Sequence, residues 1–389
     1  MKRIFKIVIG VLTVIVAVLA LTCFGLYIAG HGYVIPAIRK TYLKGYTTAN
    51  IDDHSYFKNN VIEAGTPQLW PLHEAYSRIK LSDTLRKELE DYQTIGFAVF
   101  KDGKFLYEEY WDGYSDQSRT NSFSMAKTVT TMLIGKAIEQ GYIKSLDQPI
   151  TDFLPEFRDD SLGRLCTIGN LSAMRSGYDW TEDYHTPLNP TTEAYYGDDI
   201  ERMLLKRKFS SRPGGHFRYA SADTQLLAII LKRATGKSLA TYLSDEFWKP
   251  LGMERDALWT LSGGLEMSFC CIHTNVRDYA RLGQLLLQKG NWNGRQLLDS
   301  AFIERMRTPG EGAFNANEPR KYAYSLWIDE VHQPNFFAFL GHLGQRIIIV
   351  PDENLVIVRL GKKDDRRQMG LGHLDNDVYY YINEAVKMF

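Results

Sequence analysis

The sequence predicts an α+β protein: one antiparallel sheet built from strands at both ends of the soluble chain, with an all-helical lobe inserted between them. Three observations carry this. A strand pair with a strong turn signal lies near residue 100. Helical signals dominate from about residue 125 to about 305, and strand character returns from about residue 322. At 389 residues the chain is long enough to bury a large core.

In chain order, Lys2, Arg3 and Lys6 precede Ile7 to Ile28, an uncharged apolar run. Such a run can cross a hydrocarbon core of roughly 30 Å. The basic flank keeps the N-terminus in the cytoplasm and sends the remainder outward. A cleaved signal peptide is the rival reading, but its apolar region is usually shorter and no small-x-small cleavage site follows. The reading adopted is a single-pass signal anchor over 1–29, with the soluble domain on the exported side. Residues 30–90 read as a connector and a pre-domain stretch lying on the folded body, and 91–389 as the main domain.

Ile95–Phe100 and Lys104–Trp111 flank Asp102-Gly103, a hairpin turn pair. Ala222 to Thr235 is a helix stopped by Gly236, and Asn275 to Gln288 another stopped by Gly290. Ahead of both, Tyr178–Asp199 is rich in Asp, Thr, Pro and Tyr and reads as a long surface loop of the kind that covers sites. Tyr322–Ile328 reads as a strand, and Arg346–Val350 and Leu355–Leu360 as a hairpin about 351–354. Asp377–Met388 closes the chain as a helix.

Formal net charge is zero, and no basic block or basic-aromatic patch stands out, which argues against nucleic acid as a partner. Cys23, Cys166, Cys270 and Cys271 form neither a disulfide framework nor a zinc pattern, so all four read as free thiols.

The chemistry concentrates at Ser124-Met125-Ala126-Lys127, at the head of an apolar helical run. A serine hydroxyl is a poor nucleophile until a neighbour takes its proton, and a lysine three residues later shares its helix face. The helix start adds free N–H groups beside a forming oxyanion. Alone, the spacing is equally that of a helix cap before a solvated lysine, and Ser77-Arg78-Ile79-Lys80 repeats it by chance. Two further groups lie downstream. Tyr219-Ala220-Ser221 stands at a helix entrance after Pro213-Gly214-Gly215, where a phenol beside a lysine ammonium is expected to have a lowered pKa and to shuttle protons. Gly341-His342-Leu343-Gly344-Gln345 precedes the last hairpin, where small residues admit substrate to the backbone. No Gly-x-Ser-x-Gly elbow occurs, which disfavours an α/β-hydrolase.

In this order and spacing, Ser-x-x-Lys, Tyr-x-Ser and His-x-Gly resemble the serine β-lactamase and penicillin-binding protein superfamily. The likeness is to its class C-like branch, with the family VIII esterases and 6-aminohexanoate-dimer hydrolases. Gly141-Tyr142-Ile143, Leu146-Asp147-Gln148-Pro149 and Pro250-Leu251-Gly252-Met253 add to it, so that it spans roughly residues 90–387. The resemblance implies a β-lactamase/transpeptidase-like fold and a serine hydrolase cleaving a small amide or ester through an acyl-enzyme. It implies Ser124 as nucleophile, Lys127 as the activating amine and Tyr219 as the proton-transfer group. Ser221 would orient substrate, and the N–H groups of Ser124 and Gln345 would form the oxyanion hole beside His342 and Gly344. Loop residues corresponding to Trp180–Tyr184 are implied substrate contacts, Asp183 and Tyr184 assigned among them. No metal or organic cofactor is implied.

Class C β-lactamases typically carry Lys-Thr-Gly where this chain has His342-Leu343-Gly344, and Tyr-x-Asn where it has Tyr219-Ala220-Ser221. The missing lysine removes a cation for a substrate carboxylate, which argues against efficient β-lactam hydrolysis. Two other readings remain open at this point: a peptidoglycan DD-peptidase, and a non-catalytic cell-envelope binding domain on the same fold.

Overall fold

The computed structural model describes residues 1–76, 78–184, 186–309, 322–329, 332–364 and 374–388; Ser77 of the chance Ser-x-x-Lys copy lies outside them. Helix α1 (Lys2–Ile28) has no buried residue and is long and apolar enough to cross a membrane. A helix of this kind near an N-terminus also fits a signal sequence. After five residues, α2 (Val34–Lys40) begins, followed by strand β1 (Asn59–Ile62) and α3 (Asp83–Asp91).

The hairpin comes next as β2 (Thr94–Lys101) and β3 (Lys104–Tyr110), turning at Asp102-Gly103 as the sequence predicts. A two-residue strand, β4 (Thr120–Asn121), leads into α4 (Met125–Glu139). The inserted region continues with α5 (Ile168–Ser172), α6 (Pro190–Tyr196), α7 (Ile200–Leu205), α8 (Ser221–Thr235) and α9 (Leu239–Leu243). Strands β5 (Ala257–Ser262), β6 (Leu265–Glu266) and β7 (Ile272–Thr274) precede α10 (Val276–Leu287), the short hairpin β8 (Asn291–Trp292) and β9 (Arg295–Gln296), and α11 (Ser300–Arg307). The chain closes with β10 (Trp327–Asp329), β11 (Phe336–Gly341), β12 (Gln345–Val350), β13 (Leu355–Gly361) and α12 (Asn376–Val386).

One antiparallel sheet runs in the order β10-β11-β12-β13-β2-β3, so strands from both ends of the soluble chain share it, as expected. Its two faces alternate along each strand. Phe97, Val99, Ile348 and Ile357 meet Leu85, Leu89, Val378 and Ile382 of α3 and α12 on one side. Ala98, Phe100, Ile347 and Val358 face α10 and the inserted lobe on the other. Buried Arg346 of β12 ties down α12 by pairing with Asp375 at 2.9 Å and Asp377 at 3.2 Å.

The inserted lobe is not helical throughout. It shares a second sheet, ordered β1-β5-β7-β4 with β6 on β5, whose edge strand β1 comes from the pre-domain stretch. These strands of two to six residues are too short to leave an alternation in the sequence. The expected loop at 178–199 also contains α6, begun by Asn189 accepting from Thr192 N with Pro190 in the first turn. The expected strand Tyr322–Ile328 shrinks to Trp327–Asp329, because Ser325 turns to accept from Thr128 through its carbonyl (2.6 Å) and from Thr131 through its hydroxyl (2.8 Å).

α4 is the central helix, buried on nearly every side. Its threonines lower intrinsic helix propensity. Those two bonds, with Thr130 Oγ1 to Ala126 O, satisfy all three buried hydroxyls.

Candidate active site

Ser124 is the residue before α4 and makes no side-chain cap bond, so its hydroxyl stays available. The segment entering it is pinned on both sides. Ser122 N donates to Ile272 O (2.7 Å) and Ile272 N to Ser122 Oγ (3.1 Å). Asn121 Oδ1 accepts from Phe123 N (2.8 Å) and Cys271 N (3.1 Å). Phe123 is thereby held at φ 43° and Cys271 at φ 73°, left-handed conformations that cost about 1–3 kcal/mol each in a non-glycine residue.

Lys127 lies one helical turn on, 2 % exposed, with Nζ 2.9 Å from Ser124 Oγ and 2.9 Å from Phe269 O. Burial penalises its charge and brings its pKa down to about 8, with the Glu182 carboxylate pulling weakly upward. Tyr219 stands over the same amine, its ring centre 5.0 Å from Nζ, and the Ser124 hydroxyl is a hydrogen-bonding neighbour of its phenol. Tyr322 and Trp327 flank its ring at 6.0 and 5.7 Å.

The expected lowering of the Tyr219 pKa is not found. Burial raises it well above the usual phenol value, with Tyr322 and Glu182 adding to the rise and Ser124 opposing it. The expectation assumed a charged lysine alongside, whereas the site desolvates both groups. Lys127 therefore loses its proton more readily than Tyr219 does.

The third motif forms the turn between β11 and β12. Gly341 sits so close to the nucleophile segment that a Cβ there would stand 2.4 Å from Ser122 O. Gly344, at φ +79°, leaves room for the Arg359 guanidinium, which donates to the carbonyls of Leu343 (3.1 Å) and Gly344 (2.9 Å). The Gln345 side-chain amide is spent on His342 O, Leu343 O and Gly361 O, which leaves only its backbone for substrate.

A small, mainly apolar cleft opens at Ser124. Of the residues singled out in the sequence, Ser124, Asp183, Tyr184, Ser221 and His342 line it. The Tyr184 ring stacks on His342 at 5.4 Å. Asp183 also serves its own loop, accepting from Thr186 N and Thr186 Oγ1.

Glu182 lies inside the expected contact stretch Trp180–Tyr184 but is not singled out by the sequence. Its Oε1 accepts from Tyr184 OH (2.6 Å) and Ser221 Oγ (2.7 Å), and its Oε2 from Trp180 Nε1 (2.7 Å) and Ser221 N (2.8 Å). A carboxylate thus caps the start of α8 beside the reacting groups, where the helix dipole favours it. Asp53 of the connector was missed too. It accepts from Tyr195 OH (2.7 Å) and Asn121 Nδ2 (3.3 Å), and burial raises its pKa to about 7. The free-thiol reading holds for Cys23 and Cys166 but fails at Cys270 and Cys271, which form a disulfide between neighbours, Cys270 lining the cleft. The turn after Phe269 brings the two sulfurs together.

A family profile described as Beta-lactamase matches residues 81–378. The 6-aminohexanoate-dimer hydrolase of Paenarthrobacter ureafaciens is 26% identical over 302 residues, covering 72% of this chain and 76% of that protein. Among solved structures, one from Bacillus anthracis, provisionally assigned as a 6-aminohexanoate-dimer hydrolase, aligns with a TM-score of 0.70 at 24% identity. It covers 90% of this chain and 92% of its own. A family VIII carboxylesterase aligns at 0.61 and 15% identity, covering 82% and 99%. At these identities the structural likenesses speak for the fold.

Proposed function

Because this chain belongs to the beta-lactamase family of serine hydrolases, which act on amide or ester bonds, we propose that it cleaves a small amide or ester through a Ser124 acyl-enzyme. The observation that carries this reading is the buried Lys127 amine held 2.9 Å from the Ser124 hydroxyl. With its pKa near 8, a sizeable fraction of that amine is neutral at physiological pH and can take the serine proton as Oγ attacks the substrate carbonyl carbon. The Ser124 and Gln345 N–H groups receive the developing oxyanion. Tyr219, protonated at rest, gives its proton to the leaving nitrogen or oxygen as the C–N or C–O bond breaks, and Lys127 returns one to Tyr219. Water then attacks the acyl carbon, its proton passing to the same pair, and Ser124 is released with its hydrogen restored.

The charge around the cleft narrows the substrate. Among the described residues no arginine or lysine lines it, while Asp183 lines it and Glu182 lies just behind Ser221 and Tyr184. An anionic β-lactam or a terminal carboxylate would find no cation on the cleft wall, the Lys127 amine being buried behind Ser124, and would meet the Asp183 carboxylate. A neutral or amine-bearing amide or ester fits that wall better. The domain reading, 91–389 as the hydrolase body after a 1–29 anchor and a 30–90 connector, belongs to the same proposal. So does placement of the body outside the cytoplasm.

A fluorophosphonate probe tests the proposal. Labelling of the wild type but not of Ser124→Ala is expected, and absence of labelling in both would favour a non-catalytic binding role. Parallel assays with p-nitrophenyl esters, nitrocefin, D-Ala-D-Ala peptides and short amide oligomers then rank the substrate classes.

A further inference from the structure

We propose that the connector lies on the bilayer surface and opens the Ser124 cleft toward it, so that the substrate is a membrane-partitioned amphiphile: an ester or amide of a long acyl chain with an uncharged or cationic head. This rests on the hydrolase reading above and on α1 occupying the membrane.

The argument begins with reach. Only residues 29–33 separate the last residue of α1 from the first of α2. Even fully extended, that link spans less than roughly 20 Å, so the body cannot leave the surface into which α1 is inserted.

The face that α2 presents to solvent matches such a surface. Val34, Ala37 and Thr41 are buried against the body. Ile35 and Ile38, three apart on the adjoining stripe, are 38% and 41% exposed. In the 3-10 turn that follows, Tyr42–Lys44, Tyr42 at 58% and Leu43 at 74% extend the patch with Tyr46, and Arg39 and Lys44 border it. An apolar stripe with aromatic residues and a basic margin is what an interfacial segment requires.

The same connector builds the cleft. α2 packs on α6, and Thr191, Thr192, Tyr195 and Tyr196 of α6 line the cleft together with connector residues Thr48 and Ala49. Tyr196 also lines a second, open groove that reaches Tyr27 in the last turn of α1, with Tyr33 and Pro36 on one wall and the charged Glu193, Asp198, Asp199, Arg202 and Lys206 on the rest. The groove and the cleft adjoin at Tyr196, so the cleft lies beside the bilayer end of α1 and a charged surface for a head group. The cleft wall itself is largely aromatic, with Phe123, Tyr184, Tyr195, Tyr196 and Phe269, and suits an acyl chain. With no arginine or lysine lining it among the described residues, it offers nothing to anchor a phosphate.

The full chain reconstituted in phosphatidylcholine vesicles provides the test, with 4-methylumbelliferyl palmitate embedded in the bilayer and the acetate ester in solution. In the Ile35→Glu/Ile38→Glu/Leu43→Glu variant, palmitate turnover is expected to fall about tenfold or more while acetate turnover stays within about twofold. Leu43→Glu alone, at the most exposed of the three positions, keeps the comparison available if the triple variant misfolds; it should lower palmitate turnover selectively by a smaller factor. Unchanged palmitate turnover in the variants, or equal losses on both esters, overturns the inference. Wild-type turnover of acetate without palmitate overturns it while leaving the hydrolase reading intact. Turnover of neither ester, with no fluorophosphonate labelling of Ser124, overturns both.

Discussion

If Lys127 must be neutral to accept the Ser124 proton, the rate should follow its titration. Burial brings its pKa from 10.5 down to about 8. At pH 7 roughly one amine in eleven is then neutral and at pH 9 roughly ten in eleven, so kcat/KM should rise about ninefold to tenfold across that interval. Tyr219 contributes no opposing limb there, because its pKa is pushed upward and it stays protonated. Removing Glu182, whose charge props up the Lys127 pKa, should move the midpoint to lower pH in Glu182→Gln. The assay is initial-rate hydrolysis of a soluble ester from pH 6 to 9.5, corrected with Ser124→Ala for spontaneous hydrolysis.

The same shift has a cost in stability. A lysine whose folded pKa lies below its unfolded value destabilises the fold fully at pH below about 8, and the penalty fades as pH rises toward 10.5. A depression of this size is worth about 3 kcal/mol. Lys127→Met removes that term but loses the bonds to Phe269 O and Ser124 Oγ, about 1–3 kcal/mol apiece, so the two sides roughly offset at pH 7. The variant should be inactive, and its stability relative to wild type should fall by about 3 kcal/mol between pH 7 and pH 10.5, as the wild type alone sheds its penalty. A flat rate profile between pH 7 and 9, or a stability difference between the two proteins that does not change with pH in urea unfolding, would refute the neutral-amine argument.

Three other perturbations probe the surroundings. Tyr219→Phe should lower kcat by about 10²- to 10⁴-fold with little change in melting temperature, measured on the same ester. Asp53→Ala strands the Tyr195 and Asn121 donors, so kcat should fall more than KM rises and thermal stability should drop by about 1–3 kcal/mol, while Asp53→Asn restores most of both. Gly341→Ala places a methyl 2.4 Å from Ser122 O and forces the third motif away from the nucleophile; kcat/KM should fall about 100-fold, and a variant with wild-type activity would remove Gly341 from the account.

The parts of the site legible in the sequence are those fixed by chain-local geometry. Ser124 and Lys127 meet because three residues make nearly one helical turn, which holds wherever the helix lies. Gly236 and Gly290, both at positive φ, end helices where the sequence says they should, and Asp102-Gly103 and Asn354 turn hairpins at the expected places. The order of the sheet followed from strand runs at both ends of the soluble chain. Short elements failed for the converse reason. β4 and β7 hold only two and three residues, yet they lock the nucleophile segment to the Phe269–Cys271 turn, and no period can be read from so few positions.

Charge was the least legible property, because it is set by what surrounds a group rather than by its neighbours in sequence. Glu182 looks like any loop acid until Trp180, Tyr184 and Ser221 converge on it, and the last of these comes from a different element 39 positions away. The family resemblance puts an amine beside a phenol and suggests that the phenol ionises. Enclosing both in α4, the Phe269 turn and the Tyr322–Trp327 aromatics removes the water that would sustain either charge, and the two groups respond in opposite directions. The amine gives up its proton more easily and the phenol holds its own more tightly, which provides a base and an acid on either side of one serine hydroxyl. That division of labour follows from desolvation, and a Tyr219 that titrated below pH 9 would reverse it.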